Sequence, residues 1–182
     1  MEVNSMDEYY RDIVEAAAQM AAWNEENYHF CSQATLSALM NAFGIHNPDV
    51  LRASTGFAGG VSRHGNVCGA VSGCIMFLGL LAGRDDLEMK DQATRGMTYI
   101  ESFYQKFEER FGTTICKEIL NNLFGRDFDL TDESQREELH KVMLEVPEGC
   151  HDVCGEAAKI AAEVAIEMLE AGHPFANSMV RI

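Results

Sequence analysis

The chain has 182 residues, 47% of them apolar, and a formal net charge of −15. That length suits one domain with room for a real core, and the apolar content excludes a disordered segment. The acidic balance argues against nucleic acid or an anionic membrane as the main partner, and no run approaches ~18 uninterrupted apolar residues, so nothing reads as a membrane span.

The opening residues, Met1-Glu2-Val3-Asn4-Ser5-Met6-Asp7-Glu8, are acidic and polar. A secretory leader needs a basic start and then an apolar stretch, so the expectation is a cytoplasmic protein with reduced thiols. Met6 to Trp23 carries Met6, Tyr10, Ile13, Ala17 and Met20 at helical spacing. A second helix, Ser32 to Phe43, offers Leu36, Leu39, Met40 and Phe43, and Gly44 stops it. Asn47-Pro48 has the form of an N-cap with Pro at the first helical position, starting a short helix through Arg52. Gly56 to Gly69 is a glycine-rich loop, and Cys68 to Ala82 is nearly all apolar, as a buried central helix requires. Asp85 to Phe111 is amphipathic, with Met97, Ile100, Tyr104, Phe107 and Phe111 on one face. Thr114 to Leu123 is a short helix, and Thr131 caps another through Val146 with Leu139, Val142 and Met143 inward. The last runs from His151 to Ala171 and ends at Gly172, leaving a loosely held tail from His173 to Ile182. No run alternates as a strand would. The pattern predicts an all-α fold: a single compact helical bundle in which the glycine loop leads into a buried central helix, one domain over 1–182 with its core at about 6–172.

Four of the six cysteines, Cys31, Cys68, Cys116 and Cys150, stand where a predicted helix begins. A helix start has unpaired N–H groups and the positive end of the dipole. Both favour a thiolate, the form that binds metals and attacks disulfides. Four such positions suggest helices converging on a centre that favours thiolates. The spacings are wide and no C-x-x-C occurs, so neither a zinc ribbon nor a thioredoxin motif is present, and any site is assembled by tertiary folding, one ligand per helix. Cys150-His151 has Pro147 where a haem-attachment motif needs its first cysteine, which excludes covalent haem.

The loop before Cys68 holds Gly56, Gly59, Gly60, Gly65 and Gly69. Glycines permit φ > 0 and close backbone approach, and loop N–H groups ahead of a helix start make an anion-friendly concavity. Asn66 follows Gly65 where a P-loop needs Lys, and no strand precedes the loop as a dinucleotide site requires. Gly69, Ala70 and Gly73 also suit a tight helix crossing. Arg63 and His64 either tune Cys68 as a cationic or proton-donating neighbour or form a solvated loop pair. Cys74 lies about 240° around the helix from Cys68 and reads as a small buried hydrophobe. Cys154, one turn after Cys150 on the same face, is either an alternative ligand, a resolving thiol or core packing. His29 and His151 flank cysteines; His46, His140 and His173 read as surface, and the ten methionines as core filler.

These residues resemble the redox-active family named for its cysteine pattern, C_GCAxxG_C_C. The likeness lies in Phe30-Cys31-Ser32-Gln33-Ala34, in Gly56-Phe57-Ala58-Gly59-Gly60, in Cys68-Gly69-Ala70-Val71-Ser72-Gly73, in Cys116-Lys117-Glu118-Ile119-Leu120, and in Cys150 with Ala157-Ala158 trailing it. It spans roughly residues 10 to 170. The resemblance implies a small helical cytosolic protein. The distantly similar split-Soret cytochrome makes an iron–sulfur cluster a natural occupant for the four cysteines, without carrying over its haem. On this basis Cys31, Cys68, Cys116 and Cys150 are the expected metal ligands, with Gly59, Gly60, Arg63, His64 and Gly69 lining the cofactor. A thiol–disulfide enzyme or redox sensor is the second reading, in which Cys68 attacks and Cys31 or Cys116 resolves. A zinc-binding or metal-free structural module is the third. The expected partner is an unidentified redox protein, and the apolar excess permits a homodimer.

Overall fold

The computed structural model describes residues 5–173. They form eight α-helices: α1 (Ser5–Tyr28), α2 (Cys31–Ala42), α3 (Pro48–Ala53), α4 (Gly69–Ala82), α5 (Lys90–Phe111), α6 (Cys116–Phe124), α7 (Glu133–Glu145) and α8 (Cys150–Glu170). A 3-10 turn, Ser54–Phe57, follows α3 inside the stretch expected to be loop. Among the described residues extended pairing is confined to one antiparallel bridge, Val67 with Ile115. The all-α reading holds. Of the expected loose tail, His173 is buried, and 174–182 lie outside the described residues.

Helix α1 continues past Trp23 because its buried residues recur every fourth position. Ile13, Ala17 and Ala21 are in the core and Glu25 follows them. Met20 and Trp23 are exposed, so the inward stripe differs from the expected one by a rotation of the helix. The small residues of α1 let α8 approach closely. A Cβ on Gly155 would stand 3.2 Å from the Ala18 carbonyl oxygen and 3.3 Å from Ala22 Cβ. Alanines 157, 158, 161, 162 and 165 of α8 are fully buried. Helix α8 packs against α1, α2, α4 and α5, and α2 packs against α4. The central α4 buries Val71, Phe77, Leu78 and Leu81, as expected of a nearly all-apolar segment. Phe77 stacks on Phe43 with ring centroids 5.1 Å apart.

The glycines of α4 and α5 set the crossings. A Cβ on Gly73 would overlap Thr35 Oγ1 and the Ser32 carbonyl, so α2 and α4 touch backbone to backbone there. Gly96 does the same against the Ala82 carbonyl. With Gly96 on the inner face, Met97 turns outward and is exposed, contrary to the expected face, while Phe103 and Phe107 are fully buried. Asn47 caps α3 as expected, its side chain accepting from Val50 N–H at 3.2 Å. The cap of α7 is Asp132 rather than Thr131. Asp132 Oδ1 accepts from Gln135 N–H at 3.1 Å, whereas the Thr131 hydroxyl donates to Asp129. Leu139, Val142 and Met143 are half-buried, and no residue of α7 is fully buried.

Two glycines of α4 should respond in opposite ways. Gly73→Ala is expected to cost about 1–3 kcal/mol by overpacking the crossing. Gly79→Ala meets nothing within 4 Å and is expected to add about 0.5–1 kcal/mol through helix propensity. Urea melts of the two variants check this; equal effects would contradict the crossing described.

Candidate functional site

Each of the four singled-out cysteines stands at a helix N-terminus. Cys31, Cys116 and Cys150 are the first residues of α2, α6 and α8, and Cys68 is the N-cap of α4. The free N–H groups of those first turns reach sulfur in two cases. Cys68 Sγ accepts from the Ala70 and Val71 N–H groups, and Cys31 Sγ from those of Ser32 and Gly59. All six cysteines are free thiols.

The glycine loop is what brings them together. Residues 59–63 all have positive φ: Gly59 63°, Gly60 64°, Val61 57°, Ser62 53° and Arg63 71°. Left-handed backbone costs roughly 1–2 kcal/mol for each residue with a Cβ, so Val61, Ser62 and Arg63 store strain of the sort found where a loop serves a site. The coil is held by Ser62 N–H to Gly56 O at 2.8 Å and by Asn66 N–H to Gly60 O at 3.1 Å. The chain then leaves as residues 65–68, which clasp 114–117. Cys68 N–H donates to Thr114 O at 2.8 Å and Cys116 N–H to Asn66 O at 2.6 Å. Tyr104 of α5 holds Thr114, hydroxyl to hydroxyl, at 2.6 Å. Gly60 and Gly69 leave space for sulfur. A Cβ on Gly60 would lie 2.7 Å from Cys116 Cβ, and one on Gly69 would overlap Cys31 Sγ.

A cavity of about 540 Å³ opens beside the sulfurs. Cys31, Cys116 and Cys150 line it, together with Gly59 and Arg63 of the loop. Cys68 is not in the wall; it lies buried behind, within electrostatic reach of Cys31, Cys116 and Cys150. His64 is exposed and turned back onto the Ser62 carbonyl at 2.9 Å, outside the cavity wall. Cys74 is fully buried and receives the Thr35 hydroxyl. Cys154 is in the core one turn from Cys150 and outside the wall. Sequence reasoning missed four other lining residues: Glu25, Leu130, Arg136 and His140. His140, expected on the surface, meets His29 edge to face at 4.8 Å. Arg136 Nη1 donates to the carbonyls of Leu130 and Thr131, both at 3.0 Å. Glu25 had a readable signal, since it continues the series Ile13, Ala17, Ala21.

Burial opposes the helix-start effect on the thiols. Burial pushes Cys68 and Cys116 up to about 12, and drives Cys31, Cys150 and Cys154 well above the ordinary cysteine range. Neighbouring thiolates and Glu25 add repulsion. Removing a charge from water outweighs the N–H donors of the helix starts. Glu25 shows the same effect. It is 6% exposed, its Oε2 has no hydrogen-bond partner, and burial raises its carboxyl to about 8.

The donor set bears on which group would suit it. Thiols and a buried carboxyl with an orphaned oxygen are donor types that a metal–thiolate centre uses, with arginines at the rim. Among the described residues no three His, Cys, Asp or Glu side chains are arranged to hold one metal ion.

Glu25 makes the metal-free protein sensitive to pH. Its folded pKa is about 8 against an ordinary 4.5, so its neutral form favours folding. The stability it confers is complete below about 4.5 and is lost as pH rises through about 8. Relative to Glu25→Gln, the metal-free wild type is expected to lose up to about 5 kcal/mol across that window. Urea midpoints followed against pH check it, and parallel curves for the two proteins would contradict the burial described.

A model of the family described as "Putative redox-active protein (C_GCAxxG_C_C)" matches residues 29–164. A protein of Archaeoglobus fulgidus, described as an uncharacterized protein, is 29% identical over 120 residues, 62% of this chain and 76% of that protein. No solved structure is matched. The matched span takes in all four helix-start cysteines, the left-handed loop and most of α8, and by it the chain belongs to the C_GCAxxG_C_C family of redox-active proteins.

Proposed function

We propose that the thiolates of Cys31, Cys68, Cys116 and Cys150 hold an iron–sulfur cluster and that the protein carries single electrons to and from a partner. The supporting observation is that Cys31, Cys116 and Cys150 line a cavity of about 540 Å³ with Cys68 buried behind them, each of the four at a helix N-terminus. In a cluster each thiolate takes its own iron, so the sulfurs need not meet at one point. A closed zinc site draws four donors onto a single ion at ~2.3 Å, which suits this arrangement less well. When bound, the cluster supplies a one-electron couple. The chain's own groups would tune it: the N–H groups of Ser32, Gly59, Ala70 and Val71 point at sulfur and stabilise the more negative state, raising the potential. Arg63 and Arg136 at the cavity offset negative charge in an otherwise acidic protein. No described helix is long and apolar enough to cross a membrane.

The rival reading, a thiol–disulfide enzyme, needs an attacking thiolate near neutral pH. Burial works against that for every thiol at the cavity.

Two experiments test the proposal. Protein purified without oxygen and supplied with ferrous iron and sulfide is expected to turn brown, with broad charge-transfer bands and one cluster per chain. Serine at 31, 68, 116 or 150 should lose or destabilise the colour, and Cys74→Ala should keep it. A colourless protein with stoichiometric zinc would overturn the cluster in favour of a zinc module. In the second experiment, the metal-free thiols are expected to react with iodoacetamide at neutral pH at least about 100-fold more slowly than free cysteine, because little thiolate is present. Fast alkylation of Cys68, with disulfide reductase activity lost in Cys68→Ser, would favour the dithiol enzyme.

A further inference from the structure

The mixed character of the cavity wall goes beyond a four-cysteine ligand set. The metal-liganding side chains that face the cavity are three thiols, Cys31, Cys116 and Cys150, a carboxyl, Glu25, and two histidines, His29 and His140. The histidines meet edge to face at 4.8 Å, and His140 is exposed on the surface helix α7. Glu25 lies deeper. It occupies the core stripe of α1, four residues beyond Ala21, and is buried. There the chain places a carboxyl whose Oε2 has no hydrogen-bond partner, and Glu25 forms no ion pair among the described residues. A buried polar atom with no protein partner is destabilising, and here it points to a partner that is not protein. Glu25 lines the cavity together with Cys31, Cys116 and Cys150 and lies within electrostatic reach of all three thiols. Arg136, a cation of the cavity wall, spends Nη1 on two backbone carbonyls.

We propose that Glu25 is an oxygen ligand to one iron of the group bound in this cavity, giving it a mixed sulfur and oxygen donor set. The inference rests on the metal–thiolate reading above. Ferrous iron accepts carboxylate and thiolate together, being intermediate in softness. Coordination through Oε2 displaces the carboxyl proton, which leaves to solvent, and the oxygen gains the partner it lacks.

The test uses the full chain loaded anaerobically with ferrous iron and sulfide. Mössbauer spectra of the wild type are expected to contain one iron with the larger isomer shift of oxygen ligation. In Glu25→Gln that component is lost, and a chelator removes iron at least about tenfold faster, the usual order for loss of a supporting ligand. Glu25→Asp, shorter by one methylene, should fall between the two. Metal-free Glu25→Gln is expected to fold and to be more stable than wild type at neutral pH, which separates a lost ligand from a lost fold. If the wild type loads a cluster whose irons are all of sulfur type, and Glu25→Gln matches it in spectrum and iron loss, the Glu25 assignment falls and the cluster stands. If the wild type takes up no iron, both fall together.

Discussion

Two backbone hydrogen bonds, Cys68 N–H to Thr114 O and Cys116 N–H to Asn66 O, join parts of the chain that are about fifty residues apart. Everything at the cavity depends on this clasp. It makes neighbours of the N-termini of α4 and α6, and so of two sulfurs, without spending any side chain on the task. Tyr104 secures it from outside through Thr114. Because the donors and acceptors are main-chain groups, the pairing constrains backbone shape more than residue type. Of the residues in the two paired segments, Cys116 lines the cavity.

The shape that feeds the clasp is strained. Five left-handed residues in succession form a turn of the wrong hand for L-amino acids, and only two of the five are glycine. Such a turn persists because its surroundings over-determine it. Gly60 is pressed against Asn66 and Cys116, and the loop's N–H groups are bonded back to Gly56, Phe57, Ala58, Gly59 and Gly60. Stability supplied by the Ala-rich α1–α8 contact and by the α2–α4 crossing is offset in part here. A second cost lies in the buried thiols and Glu25, which oppose one another when ionised.

The helical architecture was legible because α5 and α8 carry apolar periodicity, α4 is nearly all apolar, and glycines stand at helix ends. The four helix-start cysteines were legible too, since helix N-termini are marked by local composition. Gly69 and Gly73 read correctly as sites of close approach. Three things were not legible. The left-handed φ of Val61, Ser62 and Arg63 has no local sequence cause; it follows from tertiary closure of the loop. The burial that opposes thiolate formation was not legible, because helix-start donors are visible in sequence whereas depth is not. Glu25 was overlooked because Asn24-Glu25-Glu26-Asn27 looks like a polar terminus, although the every-fourth-residue series runs through it. The direction of His64 was part of the same loop problem: closeness to Cys68 along the chain does not show that the left-handed coil turns it back onto Ser62, outside the cavity wall.

Helix α7 contributes Arg136, Leu139, His140 and Met143 to the cavity yet buries none of its own residues. It is fastened mainly at its rim, by the Asp132 cap and by Arg126 gripping Glu138 with two bonds of 2.6 and 3.0 Å. Its apolar contacts with the core are made by half-buried side chains such as Leu139 and Val142, so less holds it than holds the fully buried helices. Under the iron–sulfur proposal above, this is the side from which an inorganic group would enter, since α2 and α4 meet backbone to backbone.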